Sequence, residues 1–343
     1  MKTETLLGKS RPRIDAIAKA TGEAIYTADM KLPRMLYAKV LRSPHAHARI
    51  VSIDTSKAAA LPGVEAVITG EDASGERWGV FPYTQDHPLI AIGKVRFIGE
   101  EVAAVAAETE EIAEEAIKLI EVIYEPLLAV FTIEDAMADG APKIHDQYEK
   151  NLNIHVNIHV GDVDKAFAEA DVIVEDTVSS DGETYAMMEP YAVVAHYTND
   201  GYLDVWVPNA GPHVRGKALS NLLKIPLNKV RIRHITIGGA FGGRSEVNPN
   251  DLVTCLLAMK ARQPVKLKLT REETFIATRQ VHDMKVWMRT GAKKDGTIIA
   301  RDYKAYYNGG AYSSTGPIAR HPFRFTCMRR PTVCPMSGTT GTA

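Results

Sequence analysis

Along residues 151–160 apolar and polar positions alternate without a break. Leu152, Ile154, Val156, Ile158 and Val160 fall on one side, and Asn153, His155, Asn157 and His159 on the other. This period of two predicts a strand with two chemically different faces. The same signal, or a β-branched run closed by Pro or Gly, recurs at 35–42, 50–53, 64–68, 102–107, 172–178, 191–197, 203–207, 230–237 and 265–269. Two hairpins are expected: 191–197 with 203–207 across Asn199-Asp200-Gly201, and 284–290 with 298–306 across Lys294-Asp295-Gly296. Helical spacing appears in between. The clearest helix covers 110–122, with Ile112, Ala116 and Leu119 in one stripe and Glu110, Glu111, Glu114 and Glu115 loading the first turns. Further helices are expected after Asp162 as N-cap, over 213–224 and over 251–262, while Thr270 and Glu273 form a capping box for another. Strands interleaved with helices in this way define an α+β fold.

The pattern has two interruptions. A Pro-, Gly- and charge-bearing stretch at 131–150 separates a first unit (20–130, after a polar lead-in, 1–19) from a second (151–317). Few contacts are expected to cross such a boundary. From about residue 318 the periodicity is lost. Arg320, His321, Arg324, Arg329 and Arg330 crowd among Pro322, Pro331 and Pro335, and residues 337–343 are low in complexity. Residues 318–343 are therefore expected to form an aberrant, poorly packed tail.

Composition narrows the function classes. The net charge of −1 over 343 residues argues against nucleic acid or an anionic membrane as the main partner. No apolar run approaches the ~18 residues a membrane span needs, and residues 1–16 lack the apolar core of a signal peptide. A cytoplasmic protein without membrane insertion is expected. Three cysteines (Cys255, Cys327, Cys334) exclude a disulfide scaffold and an iron–sulfur cluster on this chain. Candidate metal pairs fare poorly. His45 and His47 have no carboxylate or cysteine beside them, and Cys327 with Cys334 lacks completing ligands. On a strand His155 and His159 would stand ~13 Å apart, so they read as exposed strand histidines. The acidic run of helix 110–122 reads as a solvated face.

One stretch stands out chemically. Residues 235–246 read Ile-Thr-Ile-Gly-Gly-Ala-Phe-Gly-Gly-Arg-Ser-Glu, four glycines around one phenylalanine at the end of a β-rich run. A phosphate loop would follow its last glycine with Lys-Ser or Lys-Thr, and a dinucleotide fingerprint would place glycine where Ala240 stands. Two readings remain: a loop presenting backbone amides to an oxygen-rich ligand beside an aromatic wall, or a strained turn.

An ordered set of motifs extends this. The first unit holds Thr21-Gly-Glu-Ala-Ile-Tyr26, Leu41-Arg-Ser-Pro-His-Ala-His-Ala-Arg49, Leu61-Pro-Gly-Val64 and Lys94-Val-Arg-Phe-Ile-Gly-Glu100. The second holds Gly161-Asp-Val-Asp-Lys-Ala-Phe167, Met188-Glu-Pro190, the glycine loop and Gly309-Gly-Ala-Tyr312. With these the chain resembles, from about residue 11 to 317, the molybdenum-cofactor-binding subunit of the xanthine dehydrogenase and aldehyde oxidase family. Thr270-Arg-Glu-Glu-Thr-Phe275 and Arg244-Ser-Glu246 look nearest to 4-hydroxybenzoyl-CoA-reductase-like members. The resemblance implies an α/β-hammerhead domain at 20–130 and the N-terminal part of a molybdopterin-binding domain at 151–317. It implies an oxidoreductase acting on a heterocycle, an aldehyde or an aromatic CoA thioester. Cofactor contacts would come from Gly239, Ala240, Phe241, Gly242 and Gly243. Glu183 stands where relatives often have a glutamine, and a carboxylate donates no hydrogen bond unless protonated. Arg244 and Glu246 would face the substrate entrance, Glu246 lying one place from the glutamate some members use. The resemblance further implies 2Fe–2S and FAD groups on separate iron–sulfur and flavin subunits. Family members are considerably longer, and their general-base glutamate lies in a C-terminal half absent here. The alternative is accordingly a truncated, inactive chain that keeps only its fold and partner contacts.

Overall fold

A computed structural model describes residues 8–73, 75–81, 84–148, 150–314, 316 and 337–342. The largest element is a seven-stranded sheet, with strands in the order Val230–Arg233, Leu203–Trp206, Ala192–Tyr197, Val265–Lys268, Leu36–Arg42, Glu101–Ala107 and Val64–Thr69. Every residue of Glu101–Ala107 is buried. Its small, apolar Val-Ala-Ala-Val-Ala-Ala run lets helices approach closely on one face and the main core form on the other. Helix Pro249–Ala261 lies across this sheet, with Leu252, Val253, Cys255 and Leu257 fully buried.

The expected division at 131–150 does not separate two sheets. Leu36–Arg42, from the first segment, pairs in parallel with Val265–Lys268 from the second, in register from Leu36↔Val265. Arg42 reinforces the seam, donating to Glu273 Oε1 at 2.9 Å, Glu101 Oε1 at 3.0 Å and Asn250 Oδ1 at 2.9 Å. Sequence spacing locates a linker, but it carries no information about which strands later pair across it. Residues 311–313 add a second, polar seam. The Tyr312 ring stacks on His87 with centroids 3.8 Å apart, its hydroxyl donates to buried Glu100, and the Ser313 amide donates to Asp86 Oδ2 at 2.9 Å.

Other elements follow the expected pattern with shifted ends. Both hairpins form, and Asp162, Thr109 and Thr270 cap their helices through side-chain hydrogen bonds. The helix expected over 110–122 stops at Lys118, and Glu121–Pro126 is a strand pairing with Ala48–Asp54. Adjacent β-branched Val122 and Ile123 favour that outcome. Likewise the strand expected over 230–237 ends at Arg233. Residues 234–240 run free of the sheet.

A five-stranded sheet, in the order Val172–Ser180, Met284–Ala292, Ile298–Tyr307, Ser337–Thr342 and His155–Val160, completes the second segment. His155 and His159 are exposed. The tail expectation falls mostly on residues 318–336, outside the described residues, as do Cys327 and Cys334. Residues 337–342 form a strand that pairs in parallel with Ile298–Tyr307 and antiparallel with His155–Val160. Ladder hydrogen bonds come from the backbone and need no apolar side chain. Among the described residues no helix is long and apolar enough to cross a membrane, and no group of three or more His, Cys, Asp or Glu side chains is placed to hold a metal ion.

Candidate active site

The glycines of residues 238–243 serve two purposes. At Gly238 a Cβ would lie 2.5 Å from Glu189 Cβ, and at Gly243 2.6 Å from Met187 Cε and 2.7 Å from Tyr185 Cδ2. These two are glycine because the segment 185–189 packs against them. Gly239 (φ +113°) and Gly242 (φ +93°) are glycine for conformation, since L side chains rarely adopt such angles. Among the described residues a Cβ on Gly242 would meet nothing nearer than Tyr185 Oη at 3.5 Å. Phe241 itself sits at φ +44° and leaves 72% of its surface exposed. A large aromatic held outward on a left-handed backbone is unusual, and such outliers concentrate at functional positions.

Hydrogen bonding points the same way. The Gly243 amide donates to Ala240 O at 2.8 Å, and the Gly238 amide to Glu189 Oε2 at 2.8 Å. Among the described residues the amides of Phe241 and Gly242 have no acceptor. The loop thus offers an exposed patch of N–H donors around Gly242, framed by Phe241 and by Tyr185.

Directly beneath, the chain turns inward. Arg244 is 1% exposed; it donates through Nη1 to Glu189 Oε2 at 2.7 Å, through Nη2 to Glu189 O at 2.7 Å, and through Nε to Met187 Sδ at 2.9 Å. Arg244, expected at a substrate entrance, is thus turned inward among the described residues. With its three nitrogens engaged inside the protein, it pins the segment 187–189 to the loop. Glu246 is likewise buried. Its Oε1 accepts from Ser314 Oγ at 2.8 Å and pairs with Arg279, while Oε2 has no partner among the described residues. It too points into the protein among the described residues.

The anchor continues one layer deeper. Arg215, buried, donates to Glu246 O at 2.6 Å and pairs with Asp251, which also accepts from Tyr191 Oη at 2.7 Å. Burial pushes the Asp251 carboxyl upward against the pull of Arg215, and pushes the Tyr191 hydroxyl upward as well. Asp251 also closes the capping box with Asn248 at the start of helix Pro249–Ala261. The glycine loop is hence mounted on the N-terminus of the main core helix.

Glu183 is exposed, at the start of a two-residue strand paired with Gln280–Val281. The side chains that wall the loop are Tyr185, Met187 and Glu189, two to six residues further on. Sequence reasoning gave none of these three a role. The signal was available only for Glu189, inside the Met188-Glu189-Pro190 motif. Arg271, which holds Met187 O at 2.6 Å and Met188 O at 2.9 Å, stood inside the Thr270–Phe275 motif but was given no role there.

This geometry defines a class: a glycine–aromatic loop presenting backbone donors to solvent above a buried ion pair. Two family descriptions match the chain, "Aldehyde oxidase and xanthine dehydrogenase, a/b hammerhead domain" over residues 21–128 and "Molybdopterin cofactor-binding domain" over residues 144–328. The chain belongs to the family of molybdopterin-binding large subunits of xanthine dehydrogenase and aldehyde oxidase type, of which it represents the N-terminal region. It is 39% identical over 333 residues to the nicotinate dehydrogenase large molybdopterin subunit of Eubacterium barkeri, and 37% identical over 309 residues to a probable xanthine dehydrogenase subunit of Bacillus subtilis. Among solved structures it superposes on quinoline 2-oxidoreductase of Pseudomonas putida 86 with a TM-score of 0.89 at 30% identity. With the aldehyde oxidoreductase of Desulfovibrio gigas the TM-score is 0.88 at 28% identity. These alignments span 95%, 90%, 98% and 96% of this chain respectively, but 76%, 41%, 44% and 38% of the relatives. The chain thus spans under half the length of three of the four. The expectation that relatives are considerably longer applies to those three and far less to the nicotinate dehydrogenase protein.

Proposed function

We propose that this chain helps hold a molybdopterin-type cofactor in an oxidoreductase acting on a nitrogen heteroaromatic ring. The observation that carries the proposal is the open backbone at Gly242, with unclaimed N–H groups on a loop whose underside is locked by Arg244 and Glu189. Such a rigid, outward set of donors suits an oxygen-rich group, because fixed dipoles need no reorganisation when charge develops nearby. Gly239, Ala240, Phe241, Gly242 and Gly243 would form the contact, with Phe241 as the aromatic wall. Bound there, the cofactor would supply the oxygen-atom and two-electron chemistry, and the protein would orient it. Glu183, exposed and on the neighbouring strand, would reach the group as a donor only when protonated.

The ring class is favoured by three of the four relatives' names, nicotinate, quinoline and xanthine enzymes, the fourth being an aldehyde oxidoreductase. None of the relatives named above is a CoA-thioester reductase, the subfamily suggested by residues 270–275. We further propose hammerhead and molybdopterin-binding units at 20–130 and 151–317 joined by residues 131–150, iron–sulfur and flavin groups on partner subunits, and a cytoplasmic location. The general base would lie outside this chain. The second reading is an inactive chain that keeps its fold and partner contacts.

Affinity purification of the tagged chain from its native host decides between them. Molybdenum and pterin in the isolated complex, with hydroxylation of nicotinate or hypoxanthine detected by mass spectrometry, are the expected result. A folded chain recovered without molybdenum would favour the inactive reading.

A further inference from the structure

A second concavity of about 470 Å³ opens where three connections meet: the turn entering strand Leu36–Arg42, the turn between helix Pro249–Ala261 and strand Val265–Lys268, and the 196–199 end of a hairpin. Its size falls within the ~300–1,000 Å³ usual for small-molecule sites. Among the described residues the charged side chains lining it, Arg34 and Arg262, are both cations, and no carboxylate lines it. Arg34 makes no ion pair or hydrogen bond to any described residue, while the Arg262 guanidinium lies 4.8 Å from the centroid of the Tyr197 ring. The carboxylate two residues before Trp206, that of Asp204, is committed to Arg231 and Arg233 at 2.7 and 2.6 Å.

Both pocket arginines are also held on left-handed backbone, at φ +57° and +56°. Arg262 is the C-cap of its helix, where a cation is favoured by the helix dipole but glycine or asparagine is the usual occupant. That accounts for one charge there, not for Arg34 on the same pocket. Trp206 and Pro264 also line it, with His196 and Gln263 as polar neighbours. We infer that this pocket binds a small aromatic carboxylate, with the two guanidinium groups clamping the anion and Trp206 facing the ring. Arginine forks match carboxylate geometry and their planes stack on aromatic rings. The site is independent of the glycine loop and of the cofactor reading.

The probe is benzoate, titrated into the full 343-residue chain by calorimetry and by quenching of tryptophan fluorescence, with benzamide and inorganic phosphate as controls. Saturable binding of benzoate at one site is expected, about tenfold or more tighter than benzamide or phosphate, and weakened as ionic strength rises. The Arg34→Asn/Arg262→Asn variant, chosen because asparagine tolerates left-handed backbone, should lose about tenfold or more in affinity with an unchanged thermal midpoint. Absence of saturable binding, phosphate or benzamide binding as tightly as benzoate, or affinity untouched by the double substitution would each overturn the assignment. Benzoate held at the glycine loop would give the last of these. If the variant fails to fold, the benzoate–benzamide contrast and the salt dependence of the unmodified chain still decide.

Discussion

Residues 239–243 and residues 244–246 are consecutive in the chain and opposite in character. The first five leave backbone amides and the Phe241 ring toward solvent, on angles that two glycines make accessible. The next group turns its two charged side chains inward, Arg244 onto Glu189 and Glu246 onto Ser314 and Arg279. The lesson is that charge does not mark the ligand side here. Arginine and glutamate beside a glycine loop look like substrate-binding groups, yet here both are buried, and in the proposed reading it is the uncharged backbone that would meet the ligand. A precise donor array needs a rigid base, and the Arg244–Glu189 clamp with the Arg215–Asp251 pair behind it provides that base.

The largest effect should come from breaking the base. Arg244→Met leaves the Glu189 carboxylate buried without its cation, and should destabilise the chain by ~3–5 kcal/mol in chemical denaturation. A loss below ~1 kcal/mol, the usual value of an exposed pair, would mean Arg244 is not the clamp described.

A titrating network sharpens the same contrast. Burial pushes the Glu100 carboxyl up to about 7 from 4.5, outweighing the hydrogen bonds from Tyr312 and the Arg96 amide, with Arg96 lowering and Glu101 raising it. An acid raised in the fold stabilises most below about pH 4.5, and that contribution is lost as pH rises through about 7. Neighbouring His87 is lowered from 6.5 to about 3, by burial and then by Arg96, His145 and Arg77, so its contribution is present above 6.5 and is lost toward 3. Glu100→Gln should therefore remove up to about 3 kcal/mol of the pH dependence between these limits. Denaturation curves of the two proteins near pH ~5 and ~8 should diverge. Parallel pH profiles would show that Glu100 does not titrate as its burial implies.

Gly243→Ala should cost ~1–3 kcal/mol, because its Cβ would overlap Met187 and Tyr185. The thermal midpoint reports it, and a neutral change would mean the 185–189 segment yields easily. Least of all, Phe241→Ala should change stability by no more than about 0.5 kcal/mol, the ring being mostly solvent-facing. A larger loss would assign Phe241 to the fold and weaken the contrast between the two halves.

Much of the α+β pattern was legible because period-two alternation and capping are local signals. Thr270 with Glu273, Asp162 and both Asp-Gly hairpin turns stand as read. The end of helix Glu110–Lys118 was not, since Leu119 and Val122 continue its apolar stripe while β-branching favours a strand. The joining of Leu36–Arg42 to Val265–Lys268 could not be read, because pairing across more than two hundred residues leaves no local trace. At the site, the glycines were visible as letters, but their two purposes depend on Tyr185, Met187 and Glu189, which only the fold brings against them. The inward course of Arg244 and Glu246 was hidden for the same reason.

The central claim, that the exposed backbone at Gly242 is a ligand surface on a locked base, is tested most directly by Gly242→Val. The substitution adds a β-branched side chain at φ +93°, where the three nearest atoms of the described residues all belong to Tyr185, at 3.5–3.9 Å. Pterin content, measured by fluorescence after oxidation and normalised to folded chain, should be retained by the unmodified protein and lost from Gly242→Val. Equal pterin in both, at equal folded fraction, would contradict the account.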